Sequence, residues 1–308
     1  MKTPKWFKRR GLLAYLLCPF SLFYLAGARV VFNFRKMHEY SSVRPVICFG
    51  NILSGGVGKT PIVRQVAKFF DSPVVMRGYK KSKETDCIGD EAKMLSNDGI
   101  LVHVGDRKSN IILLNKQKEK TPIIMDDGFQ NPGIKKDISI LIFDEGIGFG
   151  NGFLLPAGPL RERKSAINRA DAIILIKRKN VARNFALPTD IPIFNAKNSE
   201  DCPYDKKTPV IAFAGIGYPE KFFDNVPCKI VDKISFPDHY QYTDDDIKKL
   251  IEKAKAKKAV LLTTEKDWVR IPDWAKKEIK FSALHTEIEK KFYDWLKGKV
   301  NGNTDKKR

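Results

Sequence analysis

Residues 50–60 read GNILSGGVGKT, and this stretch gives the clearest indication of how the chain folds. An apolar segment, Val46–Phe49, precedes it, and a helical pattern, Pro61–Phe70, follows it. A glycine-rich loop between a strand and a helix is typical of a P-loop, in which backbone N–H groups surround phosphate oxygens. Strict P-loop spacing has glycine at position 53, where this chain has leucine. The sequence therefore predicts a variant P-loop whose flexibility comes from the later glycines.

The second half of this loop is predicted to bind a nucleotide. Lys59 is expected to reach the β- and γ-phosphates, and the Thr60 hydroxyl is expected to bind Mg²⁺. Pro61 suits the first turn of a helix, because the N–H that proline lacks would have no partner there. The predicted nucleotide-binding residues are Ser54, Gly55, Gly56, Val57, Gly58, Lys59 and Thr60.

A second acidic motif supports this interpretation. Residues 122–128 read PIIMDDG, a short apolar strand that ends in Asp126 and Asp127. In P-loop proteins, an acid at the end of such a strand lies beside the loop and holds Mg²⁺ directly or through water. One acid at a strand end is a common cap, but two of them downstream of a P-loop indicate a phosphate and metal site.

Further along the chain, short apolar runs rich in valine and isoleucine alternate with helical patterns. These runs lack the strict alternation of a half-exposed strand, so they predict strands buried on both faces of a parallel sheet. The sequence therefore predicts an α/β fold, with a P-loop NTPase-like parallel sheet flanked by helices. The predicted strands are Val46–Phe49, Pro73–Met76, Ile100–Val104, Ile123–Met125, Ile138–Phe143, Ala172–Ile176, Val210–Phe213 and Ala259–Leu262.

Composition shifts divide the chain into four predicted parts. A polar stretch, Asn195–Thr208, separates a P-loop core at 41–200 from a C-terminal lobe at 201–296. Residues 297–308 are polar and are expected to form a frayed tail. Residues 1–40 have a basic start and then an uncharged run, Gly11–Ala28.

Four interpretations of the N-terminal part are open. A helix buried in the protein core is disfavoured, because the aromatic residues of the segment suit an interface better than a core. A signal peptide is disfavoured, because the apolar run is long and precedes a nucleotide site. A spanning helix is long enough, but the basic residues at its start would place the rest of the chain outside the cell. A helix or helix pair lying in the inner face of the membrane is preferred, because basic residues flank both ends and Arg29 and Pro19 interrupt the run.

The overall composition is that of a globular protein with an anionic partner. The 308 residues are 43% hydrophobic and 30% charged, and this composition excludes a disordered chain. Basic residues exceed acidic ones, which gives a formal net charge of +20. This excess is compatible with an anionic membrane, a phosphorylated substrate or nucleic acid. Nucleic acid is disfavoured, because the sequence lacks the alternation of aromatic and basic residues that stacks bases. The five cysteines are dispersed without a CxxC pair, so they are expected to be reduced core residues in a reducing compartment rather than zinc ligands.

Four local motifs lie beside predicted strand ends or helix starts. RGY at 77–79 follows a strand, GDE at 89–91 begins a helix, PAGPLRE at 156–162 is a rigid loop, and FPDHY at 236–240 places an aspartate next to His239. An Asp–His pair can form a general base, although a lone histidine is more often structural.

The order of these motifs resembles that of the tetraacyldisaccharide 4′-kinase family. The matching series is GNILSGGVGKTP, RGY, GDE, DDGFQ, PAGPLRE, FPDHY and TEKD, which covers roughly Pro45–Asp267. Three neighbours of the motifs depart from the family pattern: Asn131 stands for histidine after DDGFQ, Ala92 for proline after GDE, and Met76 for serine before RGY. The resemblance implies a P-loop domain with a smaller C-terminal α/β lobe and a membrane-associated N-terminal segment.

The resemblance also implies an activity. This family transfers the γ-phosphate of ATP, with Mg²⁺, to the 4′-hydroxyl of a tetraacyldisaccharide 1-phosphate in lipid A biosynthesis. The implied location is the cytoplasmic face of the inner membrane, and neither nucleic acid nor an obligate protein partner is implied. The implied catalytic residues are Asp90 with His239 as a base pair, Lys59 and Asp127. The implied metal ligands are Thr60, Asp126, Asp127 and Glu162. The implied substrate residues are Arg77, Tyr79, Glu91, Gln130 and Arg161.

Two other nucleotide-binding classes share part of the pattern. Membrane-bound partitioning or positioning ATPases also have GGVGKT, but they carry a signature lysine before the glycine pair, where this chain has Ser54, and they lack DDGFQ. A GTPase is disfavoured as well, because Glu265-Lys266-Asp267 only faintly matches a guanine-binding motif.

Overall fold

A computed structural model describes residues 4–7, 9–78, 89–178, 183 and 185–305. The chain forms two compact units. The first unit comprises Pro4–Lys197 and Glu287–Arg308, and the second comprises Asn198–Thr286.

The first part of the chain, through the P-loop core, alternates strands and helices as the apolar runs predict. Its helices are α1 (Leu12–Met37), α2 (Lys59–Phe70), α3 (Asp90–Asn97) and α4 (Arg107–Asn115), with 3₁₀ turns at Lys5–Phe7 and Lys164–Arg169. Its strands are β1 (Val46–Gly50), β2 (Val74–Met76), β3 (Val102–Val104), β4 (Ile123–Asp126), β5 (Ile138–Asp144), β6 (Ala172–Lys177) and β7 (Ile193–Glu200).

The second unit and the C-terminal return contribute the remaining elements. The helices are α5 (Pro219–Asn225), α6 (Asp244–Ala256), α7 (Glu265–Trp268) and α8 (Lys290–Asp305), with a 3₁₀ turn at Asp273–Ala275. The strands are β8 (Pro209–Ala214), β9 (Lys229–Ser235), β10 (Val260–Thr264), β11 (Ile279–Ser282) and β12 (Leu284–Ile288).

The larger sheet brings the glycine-rich motif and the acidic motif together. Its strand order is β12-β7-β6-β5-β1-β4-β2-β3, and the strands from β7 to β3 are parallel to their neighbours. Strand β1 lies directly beside β4, with Phe49 opposite Asp126. Every residue of both strands is buried. Because parallel strands end at the same edge of a sheet, the P-loop and the two aspartates emerge next to each other.

The smaller sheet is also parallel, with the order β11-β10-β8-β9. Its central strands are apolar and buried, whereas β9 at the edge alternates between half-buried and exposed residues. Helix α6 begins with a capping box between Thr243 and Asp246. The α/β class and the parallel P-loop sheet are confirmed.

The N-terminal segment forms one continuous helix, α1, rather than a pair. Pro19 lies inside it, and only Ala14 and Ser21 are buried. Large apolar side chains stay exposed along its length, including Leu12, Phe23 and Met37. The helix is long and apolar enough to cross a membrane by length and composition.

The C-terminal boundaries differ from the predicted ones. The second unit ends at Thr286, and the chain then returns to the first unit. Residues 297–305 continue helix α8 instead of fraying, because Phe292, Leu296 and Val300 pack into the core of the first unit. A polar sequence concealed this return, since one narrow apolar stripe suffices to hold a helix against a core.

The expectation that all cysteines are reduced core residues is wrong for two of them. Cys202 and Cys228 form a disulfide in the second unit. Cys48 is free and buried in β1, and Cys18 is free and half-buried in α1. The pairing was hidden from sequence because the two residues are 26 positions apart and meet only through the fold.

Candidate active site

The P-loop departs from β1 through a position that only glycine can occupy. A Cβ on Gly50 would lie 2.5 Å from Cβ of Phe129. Gly55 and Gly58 both have positive φ, at 119° and 86°, which a side chain would strain. Helix α2 then begins at Lys59, so the first turn of the helix carries the residues predicted to bind phosphate.

Leu53 explains how the loop departs from strict P-loop spacing. Its side chain is 2% exposed, and its backbone forms an isolated bridge with Leu160. The next residue, Ser54, donates its N–H to the carbonyl of Pro159 at 2.7 Å. The leucine therefore ties the P-loop to the PAGPLRE loop.

Asp126 ends β4 in a buried position. The residue is 3% exposed, and its Oδ1 has no hydrogen-bond partner. Burial raises the pKa of Asp126 to about 7, while the nearby charge of Lys59 lowers it and that of Glu91 raises it. Such a carboxylate oxygen is an available ligand for a cation.

Asp127 is held by two cations. Lys59 Nζ lies 3.1 Å from its Oδ1, and Arg161 Nη1 donates to both carboxylate oxygens, at 3.0 and 3.2 Å. Burial alone would raise the pKa of Asp127, but the charges and hydrogen bonds of Lys59 and Arg161 outweigh it and lower the pKa to about 2. Its backbone has a φ of 49°, a strained value that is concentrated at functional sites.

Gln130 and Arg161 connect the two motifs to the P-loop backbone. Gln130 Nε2 donates to the carbonyl of Asn51 at 2.8 Å, and the N–H of Arg161 donates to the carbonyl of Ile52 at 2.8 Å. The guanidinium of Arg161 reaches Gln130 Oε1 at 3.5 Å. Lys59, Asp127, Gln130 and Arg161 thus form one cluster at the carboxyl edge of the sheet.

Glu162, which the resemblance implies is a metal ligand, forms an ion pair with an arginine. Its Oε2 accepts from Arg169 at 2.7 Å, and its buried Oε1 has no hydrogen bond. Within the described ranges, no group of three or more histidine, cysteine or acidic side chains is positioned to hold a metal ion. A role for Glu162 as a metal ligand stays a prediction.

Asp90 and Glu91 begin helix α3, and Gly89 is its N-cap. Both acids make interactions within their surroundings. Glu91 lies close enough to Asp126 to influence its pKa. Arg77 follows β2 and is exposed, and Tyr79 lies outside the described residues.

His239 lies in the second unit, in the loop after β9. Its backbone has a φ of 57°, and its N–H donates to the carbonyl of Gly215 at 3.0 Å. Its Nε2 is 3.9 Å from Asp238 Oδ1, which is too long for a hydrogen bond, and its side chain is 54% exposed. The pairing of His239 with Asp90 stays a prediction.

A buried network that the sequence did not reveal supports this loop. Asp267 is fully buried and accepts hydrogen bonds from the Gly215 N–H, the Tyr242 hydroxyl and Arg270. Arg270 in turn donates to the carbonyl of Tyr240 at 2.7 Å. The aspartate of the TEKD motif is therefore a positioning residue in this unit.

Arg107 is a residue that sequence reasoning missed. It is 9% exposed, and its Nη2 donates to the carbonyls of Asp126 at 2.7 Å and Asp127 at 3.1 Å. Burial lowers its pKa. The guanidinium fixes the strained turn that presents both acids, and nothing in its local sequence distinguishes it from a surface arginine.

Comparison with known proteins gives a consistent result. The family described as tetraacyldisaccharide-1-P 4′-kinase matches residues 13–301. The tetraacyldisaccharide 4′-kinases of Paramagnetospirillum magneticum and Rickettsia bellii are each 36% identical to this chain over 296 residues. These alignments cover 88% of the chain and, respectively, 90% and 89% of the two relatives.

A solved structure extends the similarity to three dimensions. LpxK from Aquifex aeolicus, crystallised in complex with ATP, superposes with a TM-score of 0.73 at 26% identity. The match covers 94% of this chain and 99% of the other. Family, relatives and fold thus agree with the P-loop cluster described above, and the chain belongs to the tetraacyldisaccharide 4′-kinase family.

Proposed function

We propose that this protein transfers the γ-phosphate of ATP to the 4′-hydroxyl of a tetraacyldisaccharide 1-phosphate, a lipid A precursor. The observation that carries the proposal is the meeting of Lys59 and Arg161 at Asp127, directly beside the P-loop. The activity of the relatives supports it, and so does the ATP complex of the solved family member.

The two cations are suited to stabilise a transferring phosphoryl group. The transition state of phosphoryl transfer is loose, so positioned positive charge supplies most of the catalysis. Lys59 and Arg161 are already fixed by Asp127, and the backbone carbonyl contacts of Gln130 and Arg161 restrain the loop. Little reorganisation is then needed when the phosphoryl charge develops.

The residues present also fit a Mg²⁺ ion. Asp126 has a buried, unpaired carboxylate oxygen, and Thr60 lies in the first turn of α2. Mg²⁺ usually takes one or two carboxylates and keeps several waters, so this set suffices without Glu162. The ion would supply charge neutralisation between the phosphates.

Asp90 is proposed as the base that takes the proton of the 4′-hydroxyl, with His239 as its partner. Arg77, Tyr79 and Glu91 are proposed to contact the lipid substrate. These roles rest on the family resemblance, and Asp90 also stands at the start of a helix in the same unit as the P-loop.

The protein is proposed to work on the cytoplasmic face of the inner membrane. Acyl chains remain in the bilayer, so the enzyme has to reach them there. The exposed apolar side chains of α1 and its basic flanks are suited to such a surface.

The experiment is transfer of labelled phosphate from ATP, with Mg²⁺, to an acylated glucosamine disaccharide 1-phosphate in mixed micelles. Lys59→Ala should abolish product, whereas Lys68→Ala, on the same helix but half-exposed, should leave it unchanged. Failure of the wild-type protein to form product, together with ATP hydrolysis stimulated by anionic vesicles alone, would replace the kinase with a positioning ATPase.

A further inference from the structure

A groove lies in the first unit beside the beginning of α1, apart from the P-loop cluster. Its volume is about 630 Å³. Two cationic side chains, Arg10 and Lys164, line it together with an apolar wall. The wall includes Phe149, Ile167, Phe185 and Leu187.

The two cations point at the same small space. A Cβ built on Gly152 would lie 3.6 Å from Arg10 Nη2 and 3.9 Å from Lys164 Nζ. Gly152 has a positive φ of 80°, and because it carries no Cβ, this space is left to the two side chains.

Aromatic rings and a backbone carbonyl hold both cations in place. The guanidinium of Arg10 lies over the ring of Phe153 at 5.2 Å, and its Nε donates to the carbonyl of Asn151 at 3.0 Å. The ammonium of Lys164 lies over the ring of Phe149 at 4.5 Å. Among the described residues, neither cation forms an ion pair with a carboxylate.

Two like charges that converge without an acid favour an anion between them. A phosphate oxygen is a suitable ligand, because both groups can donate charge-assisted hydrogen bonds to it. A free phosphate would make no contact with the apolar wall. The wall therefore favours an anion that carries an apolar group.

We propose that this groove binds the phosphate headgroup of an anionic phospholipid, with the start of its acyl chains against the apolar wall. The position supports this occupant: Arg10 lies two residues before the start of α1, whose apolar side chains are exposed. The proposal rests on the membrane association proposed above, and it assigns a specific lipid site beyond the general attraction of basic residues to a bilayer.

The first test uses a soluble lipid, so that no membrane surface contributes. Short-chain dihexanoyl-phosphatidylglycerol, below its micelle concentration, is titrated into the full-length protein by calorimetry, with dihexanoyl-phosphatidylcholine for comparison. Saturable binding of the anionic lipid alone is expected. The variant R10Q/K164Q should weaken it by at least about tenfold, the effect of losing one charge-assisted hydrogen bond.

The matched control removes two positive charges from the neighbouring positions in the sequence. Arg9 and Arg163 are exposed and do not line the groove, so R9Q/R163Q should bind the lipid as the wild type does. An equal loss in both double variants, or equal binding of the two lipids by the wild type, would overturn the proposal in favour of diffuse attraction.

A second test fills the site from within. Aspartate and asparagine both tolerate a positive φ, and a Cβ at position 152 has only ordinary contacts. Gly152→Asp places a carboxylate between the two cations and should abolish lipid binding, whereas Gly152→Asn should retain it. Retention in both variants would contradict the proposed position of the phosphate, and so would loss in both.

Kinase turnover in micelles of neutral detergent shows whether the groove acts in lipid binding or in the proposed kinase reaction. The three groove variants and the R9Q/R163Q control should keep wild-type turnover there, and lipid binding can be measured even if no product forms. A rise in KM for the disaccharide 1-phosphate in R10Q/K164Q alone, without binding of phosphatidylglycerol, would overturn the proposal and assign the groove to the phosphate of the substrate.

Discussion

Asp127 shows how single residues define the site. Two cations lower the pKa of its carboxyl group to about 2, while burial raises the pKa of its neighbour Asp126 to about 7. Adjacent acids on one strained turn thus have different environments, and Arg107 fixes that turn through both of their carbonyls.

Asp90 is the residue whose replacement tests the proposed base. Asp90→Asn should lower kcat by about 10²–10⁴-fold, the usual contribution of a positioned base, with ATP affinity retained. Asp71→Asn is the control, because Asp71 is exposed and asparagine tolerates its φ of 49°. Collapse of ATP affinity in Asp90→Asn would make Asp90 a helix cap instead.

The raised pKa of Glu200 should make the stability of the second unit depend on pH. Burial raises its pKa from 4.5 to about 7, although a hydrogen bond from Ser282 lowers it. The folded state therefore binds a proton that the unfolded state has released, and stability should fall as pH rises from about 4.5 to about 7.

Hydrogen exchange of the β8 amides between about pH 5 and about pH 8 would measure this fall after correction for intrinsic exchange. Glu200→Gln should flatten the profile by an amount on the order of 1–3 kcal/mol, whereas Glu278→Gln, at an exposed position, should not. Identical slopes in all three proteins would refute the prediction.

At the scale of elements, α1 is connected to the active-site loop as well as exposing apolar side chains. The Ser21 hydroxyl donates to the carbonyl of Leu154 at 3.0 Å, and the Tyr24 hydroxyl donates to the carbonyl of Arg161 at 3.1 Å. The helix therefore helps to position the loop whose arginine contacts Asp127.

Removal of the Tyr24 hydroxyl should weaken this connection. Tyr24→Phe is expected to lower kcat by about two- to tenfold, because one hydrogen bond contributes about 0.5–1.5 kcal/mol. Tyr15→Phe is the control, since Tyr15 on the same helix packs its ring against Phe153. Steady-state kinetics in neutral micelles should show no change in that variant, and equal kcat values in both would mean that α1 does not position Arg161.

The loop that carries His239 is held in place by hydrogen bonds with residues in and just after α7. Asp267→Asn should destabilise the second unit by about 3–5 kcal/mol, because it removes the buried carboxylate that lies 2.7 Å from the guanidinium of Arg270. Urea unfolding followed by hydrogen exchange of β10 would measure the loss. Asp273→Asn is the matched surface change, at a side chain that is 93% exposed, and an equally small effect of both would contradict the prediction.

For the whole molecule, membrane association is tested without deleting α1, because deletion would also release the loop of Arg161. Leu16→Gln with Phe23→Gln changes two exposed apolar side chains of α1 and should reduce sedimentation with lipid vesicles. Leu101→Gln with Leu113→Gln changes two similarly exposed leucines elsewhere in the first unit and should not. Equal sedimentation of the two double variants would argue against α1 as the anchor.

The sequence predicted strands β1 to β6 of the larger sheet and missed β7 and β12 at one edge. Strands β1, β4, β5 and β6 are buried on both faces, so their apolar runs stand out. Strands β7 and β12, and also β9 and β11 of the smaller sheet, were missed because exposed and half-buried residues interrupt their pattern. All of β7 except its first two residues lies within the polar stretch that predicts a linker.

The candidate site divides in a similar way. Lys59, Asp126 and Asp127 belong to local motifs whose spacing reflects phosphate chemistry, so they were found from sequence. Arg107 acts through contacts with residues distant in the chain, and its neighbours in sequence contain no sign of it. Asp267 lies in the TEKD motif, but its hydrogen bond to Gly215 appears only in the fold. The Cys202–Cys228 disulfide was missed for the same reason.

The route of the chain determines the order in which its parts can be completed during synthesis. The second unit, Asn198–Thr286, is one uninterrupted segment, whereas the core of the first unit needs Phe292 and Leu296 from the last helix. Domains fold as units while the ribosome is still working. The smaller unit therefore has all its residues before the larger one does, and the nucleotide-binding unit remains unfinished until translation has almost ended.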